Sequence, residues 1–152
     1  MALNTPVLVI DRDALQRNIE AMAAFARTKG MALRPHAKTH KSVDIAKLQL
    51  AAGAVGVCCA KLGEAEALAE GGVQNILTTS PVVTPQAIER LIALNGKIGQ
   101  LRVVADNPDN VDALASATKA AGKALDVLVD IDPGIRRTGV ATPEAAVALA
   151  QR

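Results

Sequence analysis

The chain has 152 residues, half of which are hydrophobic, and its formal net charge is only +2. This length and composition suit one domain with a hydrophobic core, and they exclude a disordered chain, which combines low hydrophobicity with high net charge. Phe25 is the only aromatic residue, which argues against a single-strand nucleic-acid binder, because such proteins stack bases on aromatic side chains.

Apolar strands and amphipathic helices are predicted to alternate along the chain. A short β-branched run predicts a first strand at Val7–Ile10, and apolar residues three or four positions apart predict a helix over Asp11–Thr28. The later predicted elements are, in chain order, an extended segment at Met31–Ala37, a helix at Val43–Ala52, a strand at Val55–Ala60, a helix at Glu64–Glu70, a strand at Asn75–Thr79, a helix at Pro85–Leu94, a strand at Leu101–Ala105, a helix at Pro108–Ala121, a strand at Leu125–Ile131 and a helix at Pro143–Arg152.

Three of the predicted helices share the same start signal. Thr84-Pro85, Asn107-Pro108 and Thr142-Pro143 each place a side chain suited to the N-cap before a proline at the first helical position. The repeated signal predicts where these three helices begin.

The order of the elements indicates an α/β fold with a parallel sheet. Strands that are apolar throughout are typical of strands buried on both faces, and alternation with helices predicts successive βα units. Such a sheet is either doubly wound or closed into a barrel, and no GxGxxG turn follows the first strand, which disfavours a dinucleotide-binding fold. A (β/α)8 barrel needs about 250 residues, so we expect this sequence to be the front part of a longer protein.

Nothing in the sequence indicates a membrane partner or an oxidising compartment. The longest uncharged apolar-leaning run, Leu50–Ala60, is far shorter than the ~20 residues that cross a bilayer, and the N-terminal residues 1–6 lack the pattern of a signal peptide. Cys58 and Cys59 are adjacent, a spacing that suits neither a mutual disulfide nor a zinc site. We therefore expect a cytoplasmic protein.

The first candidate site is the basic segment Arg34–Ser42, which contains both histidines of the chain. It follows a predicted strand, at the sheet edge where ligands bind in α/β folds. Strand alternation predicts that Arg34, His36 and Lys38 share one face. Lys38 is a candidate Schiff-base former, since neighbouring cations favour the neutral amine that attacks a carbonyl, and Arg34, His36 and Lys41 could supply that charge.

Two other interpretations of this segment remain open from the residues alone. A solvated basic loop explains the spacing equally well, because basic loops are common on protein surfaces. A patch for a phosphate backbone is less favoured, since one short basic stretch without aromatic residues is weak support for nucleic-acid binding.

The second candidate site is Asp130–Val140, which follows a strong predicted strand and contains two arginines and two glycines. Such a loop can present a guanidinium to an anionic oxygen. It can equally be an ordinary βα turn whose glycines supply positive φ and whose arginines face water.

Weaker candidates also follow the predicted strands. Cys58 and Cys59 are expected to be buried structural thiols. Glu64 is expected to interact with a helix N-terminus, and the hydroxyls of Thr78-Thr79-Ser80 are expected to cap the following turn, although they could also reach a ligand.

The basic segment carries a resemblance to a known family. Arg34-Pro35-His36-Ala37-Lys38-Thr39-His40-Lys41 resembles the signature of the D-threonine aldolase/D-serine dehydratase family, whose members are pyridoxal-phosphate enzymes with an alanine-racemase-type barrel. Further resemblances lie in order along nearly the whole chain, at Thr5–Asp11, at Gly56–Lys61 with Glu64–Glu66, from Asn75–Leu77 through Pro81–Val83, and at Asp130–Asp132 with Arg137–Val140.

The resemblance implies a specific fold. Residues 1–152 would form the N-terminal part of a parallel (β/α) barrel of the alanine-racemase type, with about five of the eight barrel strands. Val7–Ile10 would belong to a C-terminal β domain, and the barrel would begin with the lysine strand. The later barrel strands, which supply the phosphate cradle, and the rest of the β domain would lie outside this chain.

The resemblance also implies a cofactor and site residues. Lys38 would form the Schiff base with pyridoxal 5′-phosphate, Arg137 would lie near the phenolic oxygen of that cofactor, and His36 would be a further cofactor neighbour. A divalent metal of the Mn²⁺ or Mg²⁺ kind is implied for the full-length family member only, because the family's ligands lie near its C-terminus. Neither the histidines nor the cysteines of this chain match those ligand positions.

The implied activity is that of a pyridoxal-phosphate-dependent lyase on a β-hydroxy D-amino acid, with retro-aldol cleavage as in D-threonine aldolases. A D-serine-dehydratase-type β-elimination shares Lys38 and stays open. A non-catalytic cofactor carrier and an inactive fragment are further alternatives. The expected partners are a small D-amino acid and a second copy of the chain in a homodimer, with no nucleic acid and no membrane.

Overall fold

The computed structural model describes residues 4–152. Residues 1–3 lie outside that range, and with them the start of the predicted domain and of the stretch considered above for a signal peptide. The elements are, in chain order, α1 (Arg12–Thr28), α2 (Val43–Ala51), β1 (Val57–Cys59), α3 (Leu62–Glu70), β2 (Asn75–Thr78), α4 (Pro85–Asn95), β3 (Gln100–Ala105), α5 (Pro108–Ala121), β4 (Asp126–Val129) and α6 (Pro143–Ala150), with a 3-10 turn at Ala37–Thr39 between α1 and α2.

The four strands form one parallel sheet in the order β1-β2-β3-β4. Cys58, Leu77, Arg102 and Asp126 are in register across the sheet, and a helix connects each strand to the next. A doubly wound sheet reverses its strand order at one point, whereas here every strand lies beside its predecessor in sequence, as in a barrel. The prediction of an α/β fold with a parallel sheet is confirmed.

The core lies between one face of the sheet and the helices α3, α4 and α5. Val57, Ile76, Leu101 and Val103 point from the strands towards the helices, and Leu91 of α4 meets them; all five are almost fully buried. Strand alternation sends the intervening residues to the opposite, inner face of the sheet.

The helix starts occur where the N-cap signals predict them. The side chains of Thr84 and Thr142 accept hydrogen bonds from backbone N–H groups three residues on, and Asn107 accepts from two N–H groups in its first turn. Gly122, in the left-handed conformation at φ +68°, ends α5. These local signals hold because each depends on contacts within a few residues.

Two predicted extended segments do not join the sheet as regular strands. Val7–Ile10 is exposed and pairs with no other strand in the described part of the chain, so its pairing within a C-terminal β domain stays a prediction. Met31–Ala37 is extended beside β1, but the two share only an isolated bridge between His36 and Cys58. Pro35 accepts a hydrogen bond from the Cys58 N–H at 2.7 Å and has no N–H to donate, so a regular ladder does not form.

The predicted burial on both faces is also wrong for β4. Val127 and Leu128 are 42% and 40% exposed, because β4 is the edge strand and pairs only with β3. No helix in residues 4–152 is long and apolar enough to span a bilayer.

Candidate active site

The lysine turn, residues 36–42, leaves the sheet at the carboxyl end of β1. Ala37 is buried and anchors the turn, while Lys38 is exposed. The N–H groups of His40 and Lys41 both donate to the carbonyl of Ala37, which closes the turn. The prediction that Lys38 continues the alternation of a strand is therefore wrong, because the chain has already turned into a 3-10 conformation at Ala37.

His36 links this turn to the end of β2. Its Nδ1 accepts a hydrogen bond from the Lys38 N–H at 3.3 Å, and its Nε2 lies 3.2 Å from Oγ1 of Thr79. Because Nδ1 is an acceptor, the proton of the neutral ring is assigned to Nε2. Burial lowers the pKa of His36, the charge of Lys38 lowers it further, and Glu64 opposes them. The lowered pKa and the acceptor role of Nδ1 both favour the neutral ring.

The other cations of the basic segment point away from Lys38. Arg34 Nη1 donates to Asn75 Oδ1 at 2.9 Å, towards the amino end of the sheet. The ammonium of Lys41 lies 3.8 Å from the Glu64 carboxylate, at the start of α3. Of the three groups expected to surround Lys38, only His36 contacts that residue in the structure.

Arg34 belongs to a polar layer on the inner face of the sheet, at the amino ends of the strands. Asn75 Oδ1 also accepts from Arg102 Nη1 at 3.0 Å, and Arg102 Nε lies 3.5 Å from the Asp126 carboxylate. The pKa of Arg34 is lowered, first by burial and then by the charge of Arg102. A side chain at Gly56 would displace this layer, since a Cβ there would lie 2.6 Å from the Asn75 backbone carbonyl oxygen and would also collide with Arg34 Nη1. Sequence reasoning missed this layer.

The arginine loop, residues 130–140, follows β4 and is held by its own backbone. The N–H of Asp132 donates to the Val140 carbonyl at 3.0 Å, and the N–H of Val140 donates to the Asp130 carbonyl at 2.9 Å. The Asp132 carboxylate accepts from the N–H groups of Gly134 and Arg136, and these bonds lower the pKa of Asp132. Glycines supply positive φ here, as predicted for a tight βα turn.

Arg137 lies exposed on this loop, and within residues 4–152 its guanidinium forms no ion pair. Lys38 and Arg137 both follow the carboxyl end of the sheet, Lys38 on the segment beside β1 and Arg137 on the loop after β4. The structure thus places both predicted residues on one rim of the sheet without bringing them into contact.

The remaining candidates are structural. Cys59 is buried as expected, and burial raises its pKa to about 11; Cys58 is only half-buried, contrary to the expectation, but burial raises its pKa too, so both thiols stay protonated at neutral pH. Glu64 accepts the Ala60 N–H at 2.8 Å and lies in the first turn of α3. In the described range, no group of three His, Cys, Asp or Glu side chains could share a metal ion.

Thr79 is the functional candidate whose role was predicted wrongly. Its hydroxyl does not cap the next turn but contacts His36 and the Cys59 carbonyl. The available signal was its position: it is the residue after β2, on the rim that also holds Lys38.

The sequence of this chain is similar to those of known proteins along nearly its whole length. Residues 10–152 match the alanine racemase N-terminal domain. The 3-hydroxy-D-aspartate aldolase of Paracoccus denitrificans is 44% identical over 150 residues, which is 98% of this chain and 39% of that protein. The D-threo-3-hydroxyaspartate dehydratase of Delftia sp. is 36% identical over 153 residues, which is 99% of this chain and 39% of that enzyme.

A solved structure agrees with these sequence relatives. The crystal structure of D-threonine aldolase from Filomicrobium marinum superposes with a TM-score of 0.95 at 42% identity, over 97% of this chain and 40% of that one. The chain therefore spans about two fifths of the length of these relatives. The prediction of a partial barrel of the alanine-racemase type is confirmed.

Proposed function

The chain belongs to the family of the alanine racemase N-terminal domain, and from that premise we propose that it carries the catalytic lysine of a pyridoxal-phosphate-dependent lyase acting on β-hydroxy D-amino acids. One observation carries the proposal: Lys38 is exposed on the carboxyl rim of a barrel-type sheet while its backbone is held by His36. Within the described residues its ammonium forms no ion pair that would compete with a ligand.

The residues on this rim fit the proposed cofactor. An aldehyde cofactor needs an accessible lysine amine, and Lys38 offers one. An anionic cofactor needs cations with free hydrogen-bond donors, and Arg137 presents an exposed guanidinium on the same rim. When bound, pyridoxal phosphate would supply an electron sink for a carbanion at the substrate Cα.

The proposed roles of the three residues differ. Lys38 would hold the cofactor through its ε-amine, and Arg137 would donate a hydrogen bond to the cofactor's phenolic oxygen. His36, neutral and beside Lys38, is a cofactor neighbour that accepts a hydrogen bond at Nδ1. No residue of this chain is proposed as a ligand for the divalent metal implied for full-length members.

We propose retro-aldol cleavage as the reaction, supported by the higher identity to the 3-hydroxy-D-aspartate aldolase than to the dehydratase, 44% against 36%. β-Elimination is the second candidate, because the dehydratase matches nearly the whole chain as well. The two differ in product: an aldol cleavage releases glycine, and an elimination releases ammonia.

Reductive labelling tests the proposal directly. The purified chain is incubated with pyridoxal phosphate and reduced with borohydride, and the modified peptide is mapped by mass spectrometry. Lys38→Ala is compared with Lys41→Ala, a matched control on the same turn whose ammonium faces Glu64. A single adduct at Lys38, lost only in Lys38→Ala, supports the proposal.

Scattered labelling that is the same in both variants would contradict it. Release of glycine or of ammonia from D-threonine, D-serine or 3-hydroxy-D-aspartate then assigns the reaction. A labelled chain with neither product would indicate a cofactor carrier instead of a lyase.

A further inference from the structure

We infer that Thr79 is a positioning residue: its hydroxyl fixes the tautomer of His36 and, through that ring, the backbone of Lys38. The inference rests on the proposed function for its consequence in catalysis, but its physical content is a chain of hydrogen bonds within residues 36–79. The family resemblance assigns no role to Thr79.

The direction of each hydrogen bond follows from the one before it. Thr79 Oγ1 lies 3.1 Å from the Cys59 carbonyl oxygen, which can only accept, so the hydroxyl proton is donated there. The hydroxyl oxygen then faces His36 Nε2 at 3.2 Å as an acceptor, and Nε2 must carry the ring proton. Nδ1 is left unprotonated and accepts the Lys38 N–H at 3.3 Å.

The Thr79 end of this series of hydrogen bonds is fixed to the sheet, whereas the Lys38 side chain is free of ion pairs. The N–H of Thr79 also donates to the Cys59 carbonyl at 2.9 Å, so Thr79 is bound to β1 through both its backbone and its side chain. Lys38 is exposed and its ammonium forms no ion pair in the described part of the chain. The bond from the Lys38 N–H to His36 therefore adds to the two bonds that close the turn at the Ala37 carbonyl, and it ties the lysine backbone to Thr79.

Thr78 provides an internal control. Alternation places it on the opposite face, where it is fully buried and its hydroxyl lies 3.7 Å from the Cys59 sulfur. A Thr→Val change removes a hydroxyl at either position and keeps the β-branched shape. Only the change at Thr79 removes the acceptor of the His36 ring.

The test is nitrogen-15 NMR of the 152-residue chain labelled at histidine. The sequence has only two histidines, so His40→Gln identifies the His36 signals. We expect the wild-type chain and Thr78→Val to show His36 protonated at Nε2. In Thr79→Val we expect a mixture of the two neutral tautomers, and in Thr79→Ser, which keeps the hydroxyl, we expect the wild-type tautomer.

Amide hydrogen exchange at Lys38 gives a second reading that needs no cofactor. Thr79→Val should exchange this amide about tenfold faster, the size expected when one hydrogen bond is lost, and Thr79→Ser should not. An unchanged tautomer and unchanged exchange in Thr79→Val would overturn the inference, as would equal effects of the Ser and Val variants.

The experiments distinguish a failure of the proposed function from a failure of the positioning role of Thr79. If labelling is scattered but the His36 tautomer depends on Thr79, the hydrogen-bond chain exists and the proposed function is wrong. If Lys38 is labelled at the same rate in Thr79→Val as in wild type and the tautomer does not change, the function holds and the positioning role is wrong.

Discussion

Gly139 and Gly134 of the arginine loop form a matched pair for testing why this loop requires glycine. Both have positive φ, +98° at Gly139 and +103° at Gly134. A Cβ at Gly134 would have no neighbour within 4 Å, whereas a Cβ at Gly139 would lie 2.5 Å from the Asp132 nitrogen and 2.6 Å from the Ile131 carbonyl carbon. Alanine therefore adds backbone strain at both positions and a collision at only one.

The expected magnitudes differ accordingly. Gly134→Ala should destabilise the chain by about 1–2 kcal/mol, the strain of an L-residue in the left-handed region. Gly139→Ala adds the displacement of Asp132, whose N–H donates to Val140. Loss of that bond and of the return bond from Val140 to Asp130, at about 1 kcal/mol each, gives about 3–4 kcal/mol in total.

Urea unfolding followed by circular dichroism measures this difference, since the chain has no Trp or Tyr to serve as a fluorescent probe. The comparison is between the two variants and wild type at one pH. Equal destabilisation by the two substitutions would refute the reasoning, because it would show that the loop moves away from the added Cβ without losing its hydrogen bonds.

Three further predictions concern the core, the polar layer and the histidines. Leu91→Ala should lower the free energy of unfolding by about 2–5 kcal/mol, whereas Leu48→Ala, at a residue that is 41% exposed, should change it by less than about 1 kcal/mol in the same urea assay. Asn75→Ala removes the acceptor shared by Arg34 and Arg102 and should lower the free energy of unfolding by about 1.5–3 kcal/mol. The control is Glu89→Ala, at an exposed residue of α4. If Asn75→Ala destabilises the chain no more than Glu89→Ala does, the polar layer has no structural role. Burial lowers the pKa of both His36 and His40 below the ordinary 6.5, so the unfolded chain binds more protons and stability should fall as the pH drops below about 6.5. His36→Gln and His40→Gln should each flatten this dependence in unfolding curves measured between about pH 5 and 8, and an unaltered slope in both variants would show that other groups cause it.

The local features of this fold could be predicted from sequence because their causes lie within a few residues. Thr84, Asn107 and Thr142 cap helices through their own nearby N–H groups, and Gly122 ends α5 through its own backbone freedom. The lysine motif identified the family for a similar reason, since its resemblance resides in consecutive residues.

Long-range contacts could not be predicted in this way. Val7–Ile10 has strand-like composition, but strand formation depends on a partner that the sequence pattern does not specify. Arg34 was expected beside Lys38 and instead bonds Asn75, 41 residues away. The register of the sheet decided which way the Arg34 side chain points, because it places Asn75 beside Arg34.

The sequence by itself determined the order of strands and helices, the starts of the capped helices and the identity of Lys38 as the candidate lysine. Only the tertiary structure decided that Lys38 lies on a turn, because Ala37 is buried in the core and its carbonyl accepts the N–H groups of His40 and Lys41. It also decided the protonation of His36, because the ring meets Thr79, which is 43 residues distant in sequence and adjacent across the sheet.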